Sequence, residues 1–593
     1  MNEKTKLEME HESDITSSRL DLPKRLVSAL EIILLKEMKT KFEKPPQDIN
    51  SPEELMEKAA SSVSEIWQNE IKEIVGELAK FWAEELGNSE IEMYFKRMLN
   101  DTNNLEERIR FKYFSELEGI REINPMTWRS LVSISMLRQQ QEMELLNRWV
   151  KNIPEEKFAD WELDKKELEI ALAIVTEIGP LINQTYLKQM QLGFTEKFPE
   201  IKSEGSKELG AIYLYELADE TKVAYKNMFP ETWPMIAKKF KEIAAKVTLM
   251  FPEKGKLFSE YLIAISNAYE LEENDFKINY DAWVEIEQIQ KEISASDWRI
   301  DLLAGGEPYI TKKVNKMDAN LVVGLKTKKT KEMKIKCDGY MQIANEILKG
   351  YSQMEDEILP GSVNMLLFAA GNGTFWRNQG EGGNGSVSYI NSIKEVNQLT
   401  ILPIYQELFG DCNIDELAEL SSIATFNHES GHCFFSLSEE EVKRRVGFFE
   451  QYIEMIDEIK ADTTGLRIFW EKAKNQPNPE QARKMLQLVV AYCLEYVKTD
   501  IRKEGDIASH KELGSLILTA LLESNSLIKD GDKYIIHDVA SGFKAITDIS
   551  DEMLKKFANP ETTPEIMSNY ADSIIQRNKE NKKLQEFLLN NHP

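Results

Sequence analysis

His428-Glu429-Ser430-Gly431-His432, followed by Asp457-Glu458-Ile459-Lys460-Ala461-Asp462, is the stretch whose reading decides how this chain is built. On a helix, residues four apart lie about 40° apart around the axis, so His428 and His432 share a face and both imidazoles can reach one zinc ion. Glu429, on the adjacent turn, would face a water on that ion. Glu458 lies 26 residues after His432, within return distance for a third, carboxylate ligand, and Asp462 is one turn further on. From there Asp462 can accept the free ring N–H of a zinc-bound histidine, a contact that fixes its tautomer and orientation. An H-E-x-x-H pattern alone also arises on solvated helix faces, and the second segment separates the two readings. The expectation is one Zn2+ per chain held by His428, His432 and Glu458, with Glu429 as general base and Asp457 and Asp462 supporting the ligands.

Helices are expected on both sides of the motif. Ile414-Asp415-Glu416-Leu417-Ala418-Glu419-Leu420 and Ile423-Ala424-Thr425-Phe426 predict a partly buried helix that carries the histidines inward. Ser438 with Glu441 three residues later forms a capping box, predicting a long helix through Val442, Val446, Phe449, Tyr452 and Ile456 that delivers Glu458. Gly431 costs about 1 kcal/mol of helix propensity relative to alanine. It admits a close neighbour or a substrate backbone, or it serves packing alone.

At 593 residues the chain exceeds one ordinary core, predicting several domains or two large lobes. With 101 acidic and 74 basic residues its formal charge is −27, which argues against nucleic acid or an anionic membrane as partner, since phosphate binding needs a basic footprint. The four cysteines, Cys337, Cys412, Cys433 and Cys493, have no C-x-x-C spacing and are expected to be reduced thiols. The charged start Met1-Asn2-Glu3-Lys4-Thr5-Lys6 lacks a signal-peptide core, and no apolar stretch reads as a membrane span, so a cytoplasmic protein is expected.

From Leu22 to Leu271 the hydrophobic spacing is helical, with stripes such as Ile66, Ile71, Ile74, Val75 and Leu78. Beyond Trp298, Arg299 to Leu303, Tyr309 to Lys313, Ala319 to Leu325, Lys331 to Lys336 and Val363 to Phe368 predict strands. Met341 to Tyr351 predicts a helix. The glycine-rich run Gly371 to Gly385 lacks a phosphate-loop ending and reads as a flexible loop at a cleft edge. From Thr400 onward the chain reads as helical, apart from a hairpin over Leu527 to Ile536 that turns at Asp530-Gly531.

Several segments, in order, resemble the dipeptidyl peptidase III family of zinc exopeptidases. They are Leu303-Ala304-Gly305-Gly306-Glu307-Pro308-Tyr309, the stretch Asn364 to Asn391 with Asn372 and Arg377, the zinc motif with Glu458 to Leu466, and Ala508-Ser509-His510-Lys511-Glu512-Leu513. The resemblance covers roughly residues 300 to 540. It implies that Tyr309 and His510 donate to the oxyanion of peptide hydrolysis and that Glu307 and Asn372 bind the peptide's N-terminal amine or backbone. This chain departs from the pattern in its five-residue zinc motif, in Ala369 where an asparagine is expected, and in Gly514 and Thr519 where some members carry arginines. These departures leave the zinc chemistry intact and bear on specificity.

The resulting expectation is a mainly α protein with a small β core (α+β), in two lobes separated by a wide cleft, with the zinc site in the helical lobe. Residues 1–335, with strands from 361–395, would form the lower lobe, and 336–593 the catalytic lobe. The substrates would be short peptides cut two residues from a free N-terminus. Two competing readings are an endopeptidase or carboxypeptidase of another glutamate-zincin family and a catalytically idle peptide-binding protein. The intact Glu429 argues against the second, since a binding module has no need of a general base.

Overall fold

The computed structural model describes residues 42, 44–67, 125–192, 214–216, 222–224, 227, 229–271, 276–311, 314–351, 358, 361–371, 376–378, 386–435, 452–474, 479–499 and 508–591. The fold is mainly helical with a small β core. Helices Pro125–Asn152, Glu155–Asp160, Lys165–Glu177, Gly179–Leu192, Trp233–Met250, Lys256–Glu270 and Phe276–Ala295 precede the sheet. Within this helical region a short hairpin, Leu214–Glu216 with Lys222–Ala224, interrupts the pattern that the sequence predicts.

Five strands form the central sheet: β1 (Ile300–Thr311), β2 (Val314–Leu325), β3 (Ser362–Gly371), β4 (Trp376–Asn378) and β5 (Ser386–Tyr389). Their spatial order is β1-β2-β3-β5-β4, antiparallel throughout except for the parallel β3–β5 pair. Every residue of β3 is buried, as its nearly continuous apolar run requires of a central strand. Asn391 extends the ladder past the end of β5: its side chain accepts from Leu366 N at 2.7 Å and donates to Leu366 O at 2.9 Å.

The expected strand at Lys331 to Lys336 is instead part of helix α1 (Lys328–Lys349). Thr327 and Thr330 form a reciprocal capping box at its start, and Met333, Cys337, Tyr340, Met341, Ala344 and Leu348 are among its buried positions, a helical spacing. The alternation that suggested a strand includes Ile335, which is 73% exposed. The residues 165–188 also correct the sequence reading: they are long and apolar enough to cross a membrane by length and composition. They form two helices with Ile178 between them, and 61% of the apolar window is buried inside the protein.

The buried hydrophobic residues fall into two large cores. One runs from Ile49 to Ala370 and joins the early helices to one face of the sheet. The other runs from Met333 to Phe587 and is built from α1 and the later helices. Strand β3 feeds both: Met365, Leu367, Phe368 and Ala370 belong to the first core and Val363 to the second. Leu366 and Ala369 join a third, small cluster with Leu303, Val322 and Tyr389. Ala369 is therefore a packing position here.

The helices that carry the motif residues are α2 (Ile414–His432), α3 (Ile453–Ala473) and α5 (Ser509–Glu523), with α4 (Pro479–Thr499) packed against α5. Asn413 caps α2 by accepting from Asp415 N at 2.8 Å, and Asp415 and Glu416 put negative charge in its first turn, where the helix dipole favours it. Helix α3 begins at Ile453, with Tyr452 outside it at φ −122°, ψ 13°. The single long helix expected from Ser438 through Ile456 is thus not continuous at Tyr452; its start lies outside the described residues. The hairpin Leu527–Asp530 with Lys533–Ile536 forms as expected, with Gly531 at φ 62°.

Candidate metal centre

Two glycines bring the ligand-bearing helices together. A Cβ at Gly431 of α2 would lie 2.4 Å from the Ala461 carbonyl oxygen of α3, and a Cβ at Gly465 of α3 would lie 2.8 Å from His428 N. The helices therefore cross backbone to backbone, which places His428 and His432 opposite Glu458. Gly431 admits a close neighbour, and that neighbour is the α3 main chain. In Gly431→Ala the propensity gain of about 1 kcal/mol meets an overpacking cost of about 1–3 kcal/mol. Thermal unfolding is expected to show a net loss of stability; a variant melting above the parent would contradict the tight crossing.

At the crossing, the rings of His428 and His432 stand edge to face with centroids 4.7 Å apart. Their Nε2 atoms are 3.0 Å apart, and Glu458 Oε2 lies 3.5 Å from the first and 3.8 Å from the second. Behind them, His428 Nδ1 lies 2.5 Å from Asp462 Oδ1 and His432 Nδ1 lies 2.7 Å from Asp457 Oδ2. In the tautomer that donates each Nδ1–H to its carboxylate, both Nε2 atoms offer lone pairs to a shared electrophile, a metal ion or a proton. Glu458 Oε2 is buried and finds no hydrogen-bond partner among the described residues.

Donors about 2.0–2.1 Å from a tetrahedral zinc stand about 3.4 Å from one another, and the three separations here bracket that value. His428, His432 and Glu458 thus fit a metal ion. The electrostatics agree. Burial opposes a charge on His428, yet Asp462, Glu458 and Glu429 outweigh it and push its pKa up to about 10. Burial likewise opposes charge on His432, and Asp457 and Glu458 carry its pKa upward. The surrounding carboxylates favour positive charge where the Nε2 atoms meet.

Glu429 is 3% exposed, with Oε1 4.0 Å from His428 Nε2, and its Oε2 has no hydrogen-bond partner among the described residues. Burial raises its pKa. His510, the second residue of α5, lies with Nε2 3.7 Å from Glu458 Oε2 and is 42% exposed; its ring leans on Tyr496 of α4, with centroids 5.2 Å apart. The structure thus brings Glu429, His510 and the three donors together from segments up to about 80 residues apart in sequence. The backbones of Glu307 and Tyr309 lie in β1, opposite Asp318 and Lys316 of β2; their side chains, and Asn372 altogether, lie outside the described residues.

The departures at Gly514 and Thr519 fall at packed positions. A Cβ at Gly514 would lie 2.7 Å from the Cys493 carbonyl oxygen of α4, and Thr519 is fully buried. Neither position has room for an arginine. Sequence reasoning did not single out Tyr496 or Lys460. Lys460 Nζ lies 3.0 Å from Asp457 Oδ1, on a side chain with no exposure; its only sequence signal is its place three residues after Asp457, on the same helix face.

A helical protein with a partly buried two-histidine, one-carboxylate cluster suited to a metal is the class that fold and site define. Among solved structures, the chain is similar to DPP III from Caldithrix abyssi, with a TM-score of 0.50 and 15% identity over 77% of this chain and 93% of that one. It is also similar to dipeptidyl-peptidase III from Corallococcus sp. strain EGB, with a TM-score of 0.47 and 14% identity over 68% of this chain and 74% of that one. No family model and no curated protein sequence matches the chain. The fold is therefore DPP III-like.

Proposed function

We propose that this chain is a zinc-dependent peptide hydrolase that releases dipeptides from the free N-terminus of short peptides. The observation that carries the reading is the convergence of His428 Nε2, His432 Nε2 and Glu458 Oε2, with the buried Glu429 carboxylate beside them. The DPP III-like fold supports the peptide specificity.

His428, His432 and Glu458 would hold the zinc, which when bound would supply Lewis acidity toward a peptide carbonyl and a water of pKa lowered toward about 7. Asp462 and Asp457 accept the Nδ1–H protons and hold both Nε2 lone pairs inward. Glu429 takes the proton of the attacking water; as the C–N bond breaks, the carbonyl carbon keeps the hydroxyl and Glu429 returns the proton to the leaving amine. Its raised pKa suits both halves of that transfer. By the family resemblance, His510, whose Nε2 lies 3.7 Å from Glu458 Oε2, would donate to the developing oxyanion. By the family resemblance, Tyr309 is a second donor, and Glu307 and Asn372 bind the substrate's N-terminal amine or backbone.

His510→Ala is expected to lower kcat about a hundredfold, roughly 3 kcal/mol, with KM little changed, because an oxyanion donor acts chiefly in the transition state. Steady-state kinetics check this, and a defect confined to KM would remove His510 from the reaction. The function itself is tested by incubating zinc-loaded protein with matched peptides of free and acetylated N-termini and reading product masses. Dipeptides released only from the free peptides are the expected result. Internal cuts in acetylated peptides would establish an endopeptidase, and binding without turnover a peptide-binding protein; either overturns the proposal.

A further inference from the structure

The geometry points to Lys460 as a positioning residue for His432, acting through Asp457; this rests on the reading of the three donors as a zinc site. His432 is the last residue of α2, where a helix has no intrahelical partners left for its carbonyls and tends to fray. No glycine terminates this helix. Instead Phe435 turns the chain at φ 58°, a conformation unfavourable for a bulky side chain, and is buried there with its ring against Phe557, centroids 5.9 Å apart.

Lys460 closes this end from α3. Its ammonium donates to His432 O at 3.0 Å and Phe434 O at 2.8 Å and meets Asp457 Oδ1 at 3.0 Å, so three N–H donors have three acceptors. The Phe557 ring centroid lies 5.3 Å from the same nitrogen. Asp457 Oδ2 in turn accepts from His432 Nδ1 at 2.7 Å. A closed circuit runs from the main chain of His432 through Lys460 and Asp457 to the imidazole of the same residue. Lysine is almost never fully buried unless its charge is matched, and here the match is the carboxylate that orients a ligand ring.

His428 lies four residues inside α2, where the helix fixes its backbone, and its partner Asp462 reaches it directly. Lys460 therefore serves the end of the motif that the helix does not hold. Its charge fixes the Asp457 carboxylate, and the carboxylate fixes the ring. Its two carbonyl contacts pin the backbone from which that ring hangs.

The test is the zinc affinity of the full chain, read by competition with a chromophoric chelator, with circular dichroism as a fold control. Loss of an outer partner costs about 10–100-fold in metal affinity, and that is the expected weakening for Lys460→Met, which keeps the length and removes the charge. Asp457→Asn is expected to weaken zinc comparably, and the double variant to fall no more than about twofold below the weaker single, since both break one circuit. Lys460→Arg, which restores the charge, is expected to recover most of the affinity. Parent-like affinity in Lys460→Met, or fully multiplicative losses in the double variant, overturns the proposal. If the methionine variant does not fold, Lys460→Gln keeps an amide donor without the charge and is read in the same way. A parent chain that binds no zinc is a distinct result, and it overturns the metal reading itself.

Discussion

Glu429→Gln is expected to keep its zinc and to lose peptide hydrolysis by about 10²–10⁴-fold, the usual worth of a general base. The amide matches the carboxylate in size, so the packing around this residue, 3% exposed in the parent, should persist. What disappears is the ability to accept a proton. Metal analysis and turnover measured on one preparation separate the two effects. A variant with near-parent kcat and one zinc per chain would show that another group takes the water's proton.

Glu458→Ala is expected to remove most metal affinity while leaving the fold intact. The side chain is 21% exposed at the edge of the cluster, so truncation opens no deep cavity. It does leave two nitrogen donors where there were three. Losing an outer partner costs about 10–100-fold in affinity, and losing a ligand should cost more. After dialysis, zinc content well below one equivalent with an unchanged circular dichroism spectrum is the expected result. Full retention of zinc would place the third donor elsewhere.

The donor set was legible because a helix imposes its own period: His428 and His432 must share a face, and the distance to Glu458 allows one return of the chain. The β core was legible in part. Arg299 to Leu303, Ala319 to Leu325 and Val363 to Phe368 carry β-branched or apolar runs between turn residues, and strands lie there. Lys331 to Lys336 misled because its alternation is local, whereas the Thr327 cap and the buried stripe that make it helical extend past it on both sides. The meaning of Gly431 was hidden for another reason. Its neighbour, the Ala461 backbone, is 30 residues away in sequence, and only the helix crossing brings the two together. Nothing in the sequence marks Lys460 as buried; its burial depends on Phe557 and on the end of α2, neither of which its own surroundings in sequence announce.

The division of the molecule into two cores bears on what metal occupancy does to the folded state. His428, His432 and Glu458 all sit on α2 and α3, whose apolar faces belong to the second core, and none comes from the helices that build the first. An ion that binds only the folded form adds RT ln(1 + [L]/Kd), about 4 kcal/mol at a free concentration a thousand times Kd. With zinc bound as proposed, that mass-action term would act first on the core that carries α2 and α3, and chelation is expected to lower its resistance to heat and proteolysis more than that of the first core.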